Sequence, residues 1–402
     1  MRTLDRIVIV GASLAGLRAA ETLRAEGFAG SLTLVGSESH RPYDRPPLSK
    51  QVLSGAWTSD RTALTGGIGD ALDAEWELGV AATGLDSDAR EIALGDGRTI
   101  GYDGLVVATG AAPRTIGGTE GHRRVRYLRT LDDAHEIVER LDAGAGRVVV
   151  VGAGFIGAEV ASSCRERKVE VTLVEPLAQP LARVLGERVG AVVADLHRDH
   201  GVDLRLGTGV DAIDDEGHGL RLRLSDGSHV DADLVVVGIG VTPNTGWLEG
   251  SGLTLDDGVV CDETTLAAPG VVAAGDVARW PNPRYGGETM RIEHWEHAID
   301  MGAHAGRRLL AADGPGEAFA PVPWFWSDQY DRKLQLAGRV RPDDDLAVVA
   351  GSFEDRRFCA LYGREGRVTG ALAMNMPGRV VKYRRALVDG LGWDEALAAA
   401  AG

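Results

Sequence analysis

The residues whose spacing implies chemistry are three glycines. Gly152, Gly154 and Gly157 stand at G-x-G-x-x-G spacing directly after the apolar run 148–151. Each has a task if a dinucleotide binds there: the first allows a tight turn, the second lets backbone approach a pyrophosphate, and the third lets helix and strand pack closely. The phosphate would sit on a helix N-terminus, where outward N–H groups and the helix dipole favour an anion. Glu175 stands 23 residues after Gly152, where an acid meets the adenosine ribose hydroxyls. Its charge repels a 2′-phosphate, so NADH is expected over NADPH. A glycine string alone is equally a buried structural turn, so the elements around it must decide.

Those elements are legible. Residues 147–175, RVVVVGAGFIGAEVASSCRERKVEVTLVE, read as strand, glycine turn, helix and second strand, the first run being too short and too β-branched for a helix start. The plan also opens the chain over residues 4–38, with Gly11 and Gly16 in the outer glycine positions and Ser13, Leu14 and Ala15 between them. Ser13 replaces the middle glycine, and its Cβ restricts backbone approach. Glu38, 27 residues after Gly11, can take the ribose role. Residues 94–110 and 224–240 each give an Asp-Gly turn, a polar strand and an apolar strand closing on Gly110 or Gly240, so the chain contains a duplication. Between the copies of the glycine motif and these hairpins, the fold class is α/β with two Rossmann-like nucleotide-binding domains.

Three further stretches complete the reading. Residues 40–50, HRPYDRPPLSK, carry prolines that exclude regular structure, which predicts an extended, stiffened loop. It is either a plain linker or, through Arg45 and Lys50, a functional segment. Residues 270–278 read as a short buried strand ending in Gly275 and Asp276, with Asp276 either facing a ligand or capping a following helix. Residues 293–312 predict a helix with a small-residue face. Beyond Pro315 the texture changes to alternating strands with glycine turns and a helix near 379–387, a separate C-terminal α+β domain.

At 402 residues and 44% hydrophobic content, two or three packed domains are expected. The formal net charge of −16 argues against a nucleic-acid partner, which needs a basic face. The amino end has no signal-peptide pattern, and no apolar run reaches the roughly 18 residues of a membrane span, so a cytoplasmic protein without membrane association is expected. Cys164, Cys261 and Cys359 are nearly a hundred residues apart, which excludes a C-x-x-C redox pair and a zinc cluster of usual spacing. They are expected to be buried and inert, and no metal site is expected.

With these motifs assembled, the chain resembles the FAD-containing, NADH-dependent ferredoxin reductases of the glutathione-reductase-like fold. The likeness runs from Val8 to the carboxyl end and is carried by RPYDRPPLSK (41–50), VVATGAAPR (106–114), YLRTLDDA (127–134), GAGFIGAEVA (152–161), GIGVTPN (238–244), AAGDVA (273–278), EHWEHA (293–298) and PWFWSDQY (323–330). The resemblance implies a discontinuous FAD domain, 1–112 plus 245–319, an NADH domain, 113–244, and a C-terminal cap domain, 320–402. It implies FAD contacts from Gly11, Ser13, Leu14, Ala15, Gly16, Glu38, Arg45, Lys50, Ala108, Thr109, Gly110, Arg129, Gly275, Asp276, Glu293, His294 and Trp295, the last beside the pyrimidine end of the flavin. For NADH it implies Gly152, Gly154, Phe155, Ile156, Gly157, Glu159, Glu175, Arg183, Gly238, Ile239 and Gly240. Glu159 approaches both the nicotinamide and Lys50 in such proteins, though a helical carboxylate at that place is otherwise a solvated residue.

Hydride transfer needs nicotinamide and flavin held at near-attack distance, with the cofactor performing the chemistry. Lys50 and Glu159 are expected to form a charge pair that tunes the reduced flavin, since a nearby cation stabilises its anion. The proline-rich segment holds no cysteine, neither the pair of the disulfide reductases of this fold nor the single one of its oxidases and peroxidases. A one-electron acceptor such as an iron–sulfur protein remains, and the resemblance implies a [2Fe-2S] ferredoxin supplying a cytochrome P450 or a ring-hydroxylating dioxygenase. Two alternatives stay open, a quinone or radical reductase of the same fold, and a flavoprotein resembling apoptosis-inducing factor that NADH switches. A ferredoxin would dock on a local basic patch, with Trp326, Arg332 and Lys333 as candidates and further clusters at Arg307-Arg308, Arg339 with Arg341, and Lys382 with Arg384-Arg385. The chain itself is expected to be a monomer or weak dimer.

Overall fold

The computed structural model describes residues 4–64, 72–119, 121–311 and 314–401. Two compact units form, one from Met1–Asp44, Thr62–Ala112 and Thr242–Pro323, the other from Arg45–Arg61, Pro113–Val241 and Trp324–Gly402.

In the first unit the strand Arg6–Val10 lies inside a six-stranded sheet. Its neighbours Ser31–Gly36 and Gly104–Val107 run parallel to it. Ile7, Val8, Ile9 and Val10 are all buried, as a parallel strand covered on both faces requires. The helix Leu14–Ala25 covers this sheet and packs on the helix Trp295–Leu310 through small residues. A Cβ on Gly302 would lie 2.3 Å from the Ala15 carbonyl oxygen, so only glycine permits this approach. The spacing had predicted 293–312 for the second helix. It starts at Trp295 because His294 is extended and acts as its N-cap, while residue 312 lies outside the described residues.

In the second unit the strand Arg147–Val151 holds the same central place. It lies parallel to Glu170–Glu175 and Leu234–Val237, with Asp203–Leu206 and Val125–Tyr127 outside them. The antiparallel sheet Val210–Asp215, Leu220–Leu224, His229–Ala232 repeats Ala82–Asp86, Glu91–Leu94, Thr99–Gly101 of the first unit. The duplication extends to side chains. Asp103 accepts the Arg6 backbone N–H at 2.8 Å and its guanidinium at 3.2 Å, and Asp233 accepts those of Arg147 at 2.9 and 2.8 Å. In both places an aspartate just before the third parallel strand ties down the first residue of the central one.

The C-terminal part is a five-stranded antiparallel sheet, Trp324–Gln329, Arg332–Gly338, Arg367–Met374, Arg357–Arg364, Asp345–Ser352, followed by helices Pro377–Asp389 and Trp393–Ala401. The last helix was not read from the sequence. Leu334, Leu336, Phe358 and Leu372 of this sheet form one apolar cluster with Leu185, Val189 and Val193 of the helix Ala182–Asp199.

One expectation is corrected. The proline-rich segment is not extended throughout, because Leu48–Val52 forms a helical turn with Pro47 as its N-cap. Proline excludes a helix interior but suits its start, where the missing N–H and fixed φ cost nothing. The turn is anchored in the second unit by Leu53, fully buried beside Ile137 and Val160, and by Arg167, whose Nε donates to the Leu53 carbonyl at 2.7 Å.

Candidate functional site: two glycine cradles and a buried ion pair

Each cradle begins where a central strand ends. Gly11 has φ 118° and Gly152 φ 99°, conformations that L side chains rarely adopt. A Cβ on Gly11 would meet the Ala108 carbonyl oxygen at 2.0 Å, and one on Gly152 the Gly238 carbonyl oxygen at 2.4 Å. Gly16 and Gly157 bring helix against turn, with hypothetical Cβ atoms 2.0 and 1.9 Å from the carbonyl oxygens of Gly11 and Gly152. The middle position behaves differently. Gly154 has φ −74°, open to any residue, and a Cβ there would meet nothing nearer than 4.0 Å. No atom of the described residues therefore explains this glycine, whereas a phosphate laid on the backbone at the helix N-terminus would. In the first cradle Ser13 occupies this place at φ −111°, ψ −159°, extended backbone that serine adopts without strain. The residues present fit a dinucleotide at each cradle.

The acids after the cradles differ. Glu175 is buried, and its two carboxylate oxygens accept the Ala153 N–H at 2.8 Å and the Leu177 N–H at 3.0 Å. A carboxylate has about four lone-pair sites, so two remain for further donors. Strand register makes Gly36, not Glu38, the counterpart of Glu175, since Val10 pairs with Val35 as Val151 pairs with Val174. Glu38 lies two residues past its strand and accepts the Tyr43 hydroxyl.

The other first-unit residues cluster at strand and helix ends. Ala108, Thr109 and Gly110 follow the strand Gly104–Val107, and Thr109 exchanges two 2.8 Å hydrogen bonds with Asn244. Gly275 (φ 75°) and Asp276 form one helical turn after the strand Val271–Ala273. The strand Ala278–Asn282 follows directly, so Asp276 has no α-helix to cap. Trp295 is the first residue of its 16-residue helix, and its indole Nε1 donates to Asp44 at 2.8 Å. His294 is the cap before it, and Glu293 pairs with Arg291 at 2.6 Å.

The second unit gathers Lys50 and Glu159, which are 109 residues apart in sequence. Lys50 Nζ lies 2.7 Å from Glu159 Oε2, with both side chains nearly shielded from solvent. Ser49 Oγ donates to the same oxygen at 2.6 Å, and Ser327 Oγ donates to Oε1 at 2.7 Å. Ser163, four residues after Glu159 and so on the same helix face, donates to the Ser49 carbonyl at 2.7 Å. Arg45 donates to the Arg129 carbonyl at 2.8 Å. Ile156 and Ile239 are exposed large apolar residues beside the second cradle. Gly238 continues the strand Leu234–Val237, and Gly240 turns at φ 100°. Phe155 packs edge-on against Phe325, and Arg183 is exposed in the first turn of Ala182–Asp199.

Ser49 and Ser327 were not read from the sequence. Ser163 could have been, since it shares the face of Glu159 at i+4. A serine in a strand, as Ser327 is, or in a single helical turn, as Ser49 is, carries no such signal.

Two glycine cradles, each at the end of a central parallel strand, define a dinucleotide-binding protein. The chain belongs to the pyridine nucleotide-disulphide oxidoreductase family, whose pattern matches residues 5–302, with a reductase C-terminal domain over residues 324–401. Proteins of this family use FAD and NAD(H), and this chain is an oxidoreductase. It is 42% identical over 385 residues to the ferredoxin–NAD(+) reductase component of the p-cumate 2,3-dioxygenase system of Pseudomonas putida, covering 95% of this chain and 93% of that protein. It is 37% identical to rhodocoxin reductase of Rhodococcus erythropolis, over 95% of this chain and 89% of that one. Among solved structures it matches the covalent putidaredoxin reductase–putidaredoxin complex with a TM-score of 0.89 at 34% identity, covering 96% and 93% of the two chains.

Proposed function

We propose that this oxidoreductase takes hydride from NADH and delivers electrons singly to a [2Fe-2S] ferredoxin that serves an oxygenase, either a cytochrome P450 or a ring-hydroxylating dioxygenase. Relatives named as ferredoxin–NAD(+) reductase components support this reading. The observation that carries it is the state of the thiols. Cys164, Cys261 and Cys359 are free and buried, and burial pushes each thiol up to about 12. A thiol in that state does not relay electrons, so they must leave to a separate carrier.

Residues 1–112 with 245–319 form the FAD domain in this reading, 113–244 the NADH domain, and 320–402 the C-terminal domain. Bound FAD supplies the two-electron acceptor that can give electrons up one at a time. The cradle of Gly11, Ser13 and Gly16 holds its diphosphate, with Asp276 and the N-terminal turn at Trp295 as further contacts. The cradle of Gly152, Gly154 and Gly157 holds the NADH diphosphate, and Glu175 binds its ribose. Ile156 and Ile239 offer apolar surface to the nucleotide. Glu159 serves as a hydrogen-bond acceptor on the nicotinamide side, and Lys50 balances its buried charge, which would otherwise be costly.

Ferredoxin docking is assigned to the surface around Trp326. Lys333 Nζ lies 6.0 Å from the Trp326 ring centroid, and Trp324 and Trp326 lie 5.4 Å apart. Lys333 also pairs with Asp328 at 2.8 Å and Arg332 with Asp331 at 2.6 Å, which reduces what these two cations offer a partner. Arg379, Lys382 and Arg385 on the helix Pro377–Asp389 are exposed, without ion-pair partners among the described residues, and carry the stronger attraction for an acidic protein. Arg308 is excluded, being buried and bonded to Thr264 at 2.8 Å.

The test is NADH-driven cytochrome c reduction through ferredoxin, with ferricyanide reduction as a partner-free control, across a salt series. Trp326→Ala and Lys382→Glu with Arg385→Glu should each lower the ferredoxin reaction about tenfold and leave the ferricyanide reaction within twofold, the scale of one interface anchor. Equal losses in both assays would remove this surface, and no ferredoxin-dependent rate in the wild type would remove the function.

A further inference from the structure

The strand Trp324–Gln329 has two differently occupied faces. Trp324, Trp326 and Asp328 alternate with Phe325, Ser327 and Gln329, as strand geometry requires. The second set meets one face of the helix Phe155–Glu166. Phe325 packs edge-on against Phe155 with centroids 4.6 Å apart, Ser327 bonds Glu159, and just past the strand the Tyr330 N–H donates to Ser162 Oγ at 2.6 Å. Residues 155, 159 and 162 stand at i, i+4 and i+7, a single helical stripe. The strand is therefore fixed on both sides of Ser327.

Behind Ser327, Gln329 Nε2 donates to Ser327 Oγ at 3.2 Å. A serine hydroxyl has one proton. With Gln329 already donating into the oxygen, that proton is committed to Glu159 Oε1. Glu159 Oε2 is occupied by Ser49 and Lys50, whereas among the described residues Oε1 receives Ser327 alone. One lone pair of Oε1 remains, and its direction is set by the hydroxyl that takes the other. All three side chains are buried, so the geometry is not blurred by water.

We propose that Ser327, backed by Gln329, is a positioning residue that aims the remaining lone pair of Glu159 at an amide N–H of the nicotinamide carboxamide. The proposal rests on the reading of Glu159 as an acceptor on the nicotinamide side. Ser327 touches no substrate; it acts through Glu159 and sets how well the nicotinamide is held. Gln329 fixes the direction of the relay.

The experiment measures NAD+ dissociation constants by calorimetry on the FAD-loaded protein, together with NADH KM and kcat in ferricyanide reduction. Ser327→Ala should weaken NAD+ about tenfold and raise KM similarly with kcat within twofold, as for one lost bond to a charged group. Ser327→Thr keeps the hydroxyl and should stay within about threefold of wild type on the same scale. Gln329→Leu removes the donor to Ser327 Oγ and frees the hydroxyl to turn away from Glu159, so it should weaken NAD+ measurably but by less than Ser327→Ala. Circular dichroism and thermal melts confirm that each variant folds. Unchanged NAD+ affinity in folded Ser327→Ala overturns the proposal, and so do equal losses for the alanine and threonine variants, which would make the site one of packing. Glu159→Gln separates the two levels: if it binds NAD+ as wild type does, the reading of Glu159 fails, whereas weak binding there with an intact Ser327→Ala refutes the Ser327 proposal alone.

Discussion

Alanine at two neighbouring glycines should produce opposite phenotypes. At Gly157 the added Cβ would lie 1.9 Å from the Gly152 carbonyl oxygen, a main-chain atom. Helix and turn would have to separate by about 1 Å or more, and overpacking of this kind costs about 1–3 kcal/mol or above. With roughly 2–4 °C of Tm per kcal/mol for a unit of this size, Gly157→Ala should melt about 2–12 °C below wild type. At Gly154 the same methyl group meets no atom of the described residues nearer than the Gly238 carbonyl oxygen at 4.0 Å, and φ is −74°. Exchanging glycine for alanine at an N-cap costs at most about 1 kcal/mol, so Tm should fall by less than about 4 °C. The methyl instead occupies the space through which a diphosphate would approach the backbone. NAD+ affinity should therefore drop about tenfold to a hundredfold, the size of one or two lost charged hydrogen bonds. Calorimetric titration with NAD+ and differential scanning of both variants give the two numbers, and flavin absorbance reports on the untouched first cradle. If Gly154→Ala binds NAD+ as tightly as wild type, the assignment of the second cradle to the dinucleotide fails.

Glu175 joins recognition to stability. Glu175→Ala leaves the Ala153 and Leu177 N–H groups without their 2.8 and 3.0 Å acceptors, so unfolding free energy should fall by about 1–3 kcal/mol, while the preference for NADH over NADPH narrows. Glu175→Gln keeps an acceptor oxygen and should narrow the preference with a smaller loss of stability; equal kcat/KM for the two nucleotides in the wild type would refute the role. Asp233 is held below the usual carboxylate range first by its hydrogen bond to the Arg147 guanidinium. Its contribution is then present above the unfolded carboxylate value of about 3.9 and is lost as pH falls through the lower folded value. Asp233→Asn should cost about 1 kcal/mol or less between pH 5 and 8, given its partial exposure, and that gap should close below about pH 4 in urea melts. A gap that widens in acid would contradict the assigned sign.

What could be read from the sequence was set by how locally each feature is encoded. The cradles are legible because turn, phosphate approach and helix contact are solved by glycines within six residues, and the aspartate ties at Asp103 and Asp233 repeat because the duplicated strands repeat. The proline-rich segment misled because proline reports only on backbone φ and its missing N–H, and both suit the first turn of a helix as well as an extended chain. Counting residues after the first glycine leads to Glu38, whereas strand register makes Gly36 the counterpart of Glu175, so the two copies of the motif do not present their acids at the same strand position. Lys50 and Glu159 carry no mutual signal across 109 residues, so only resemblance could pair them. Ser327 had no signal of any kind, since a serine at an inward strand position looks like a tolerated small residue until a carboxylate is found opposite it. A buried carboxylate with several directed donors needs partners from several parts of the chain, because no single stretch can surround it. Glu159 draws on residues 49, 50 and 327, and that dispersion is why this part of the site emerges from packing and not from motif.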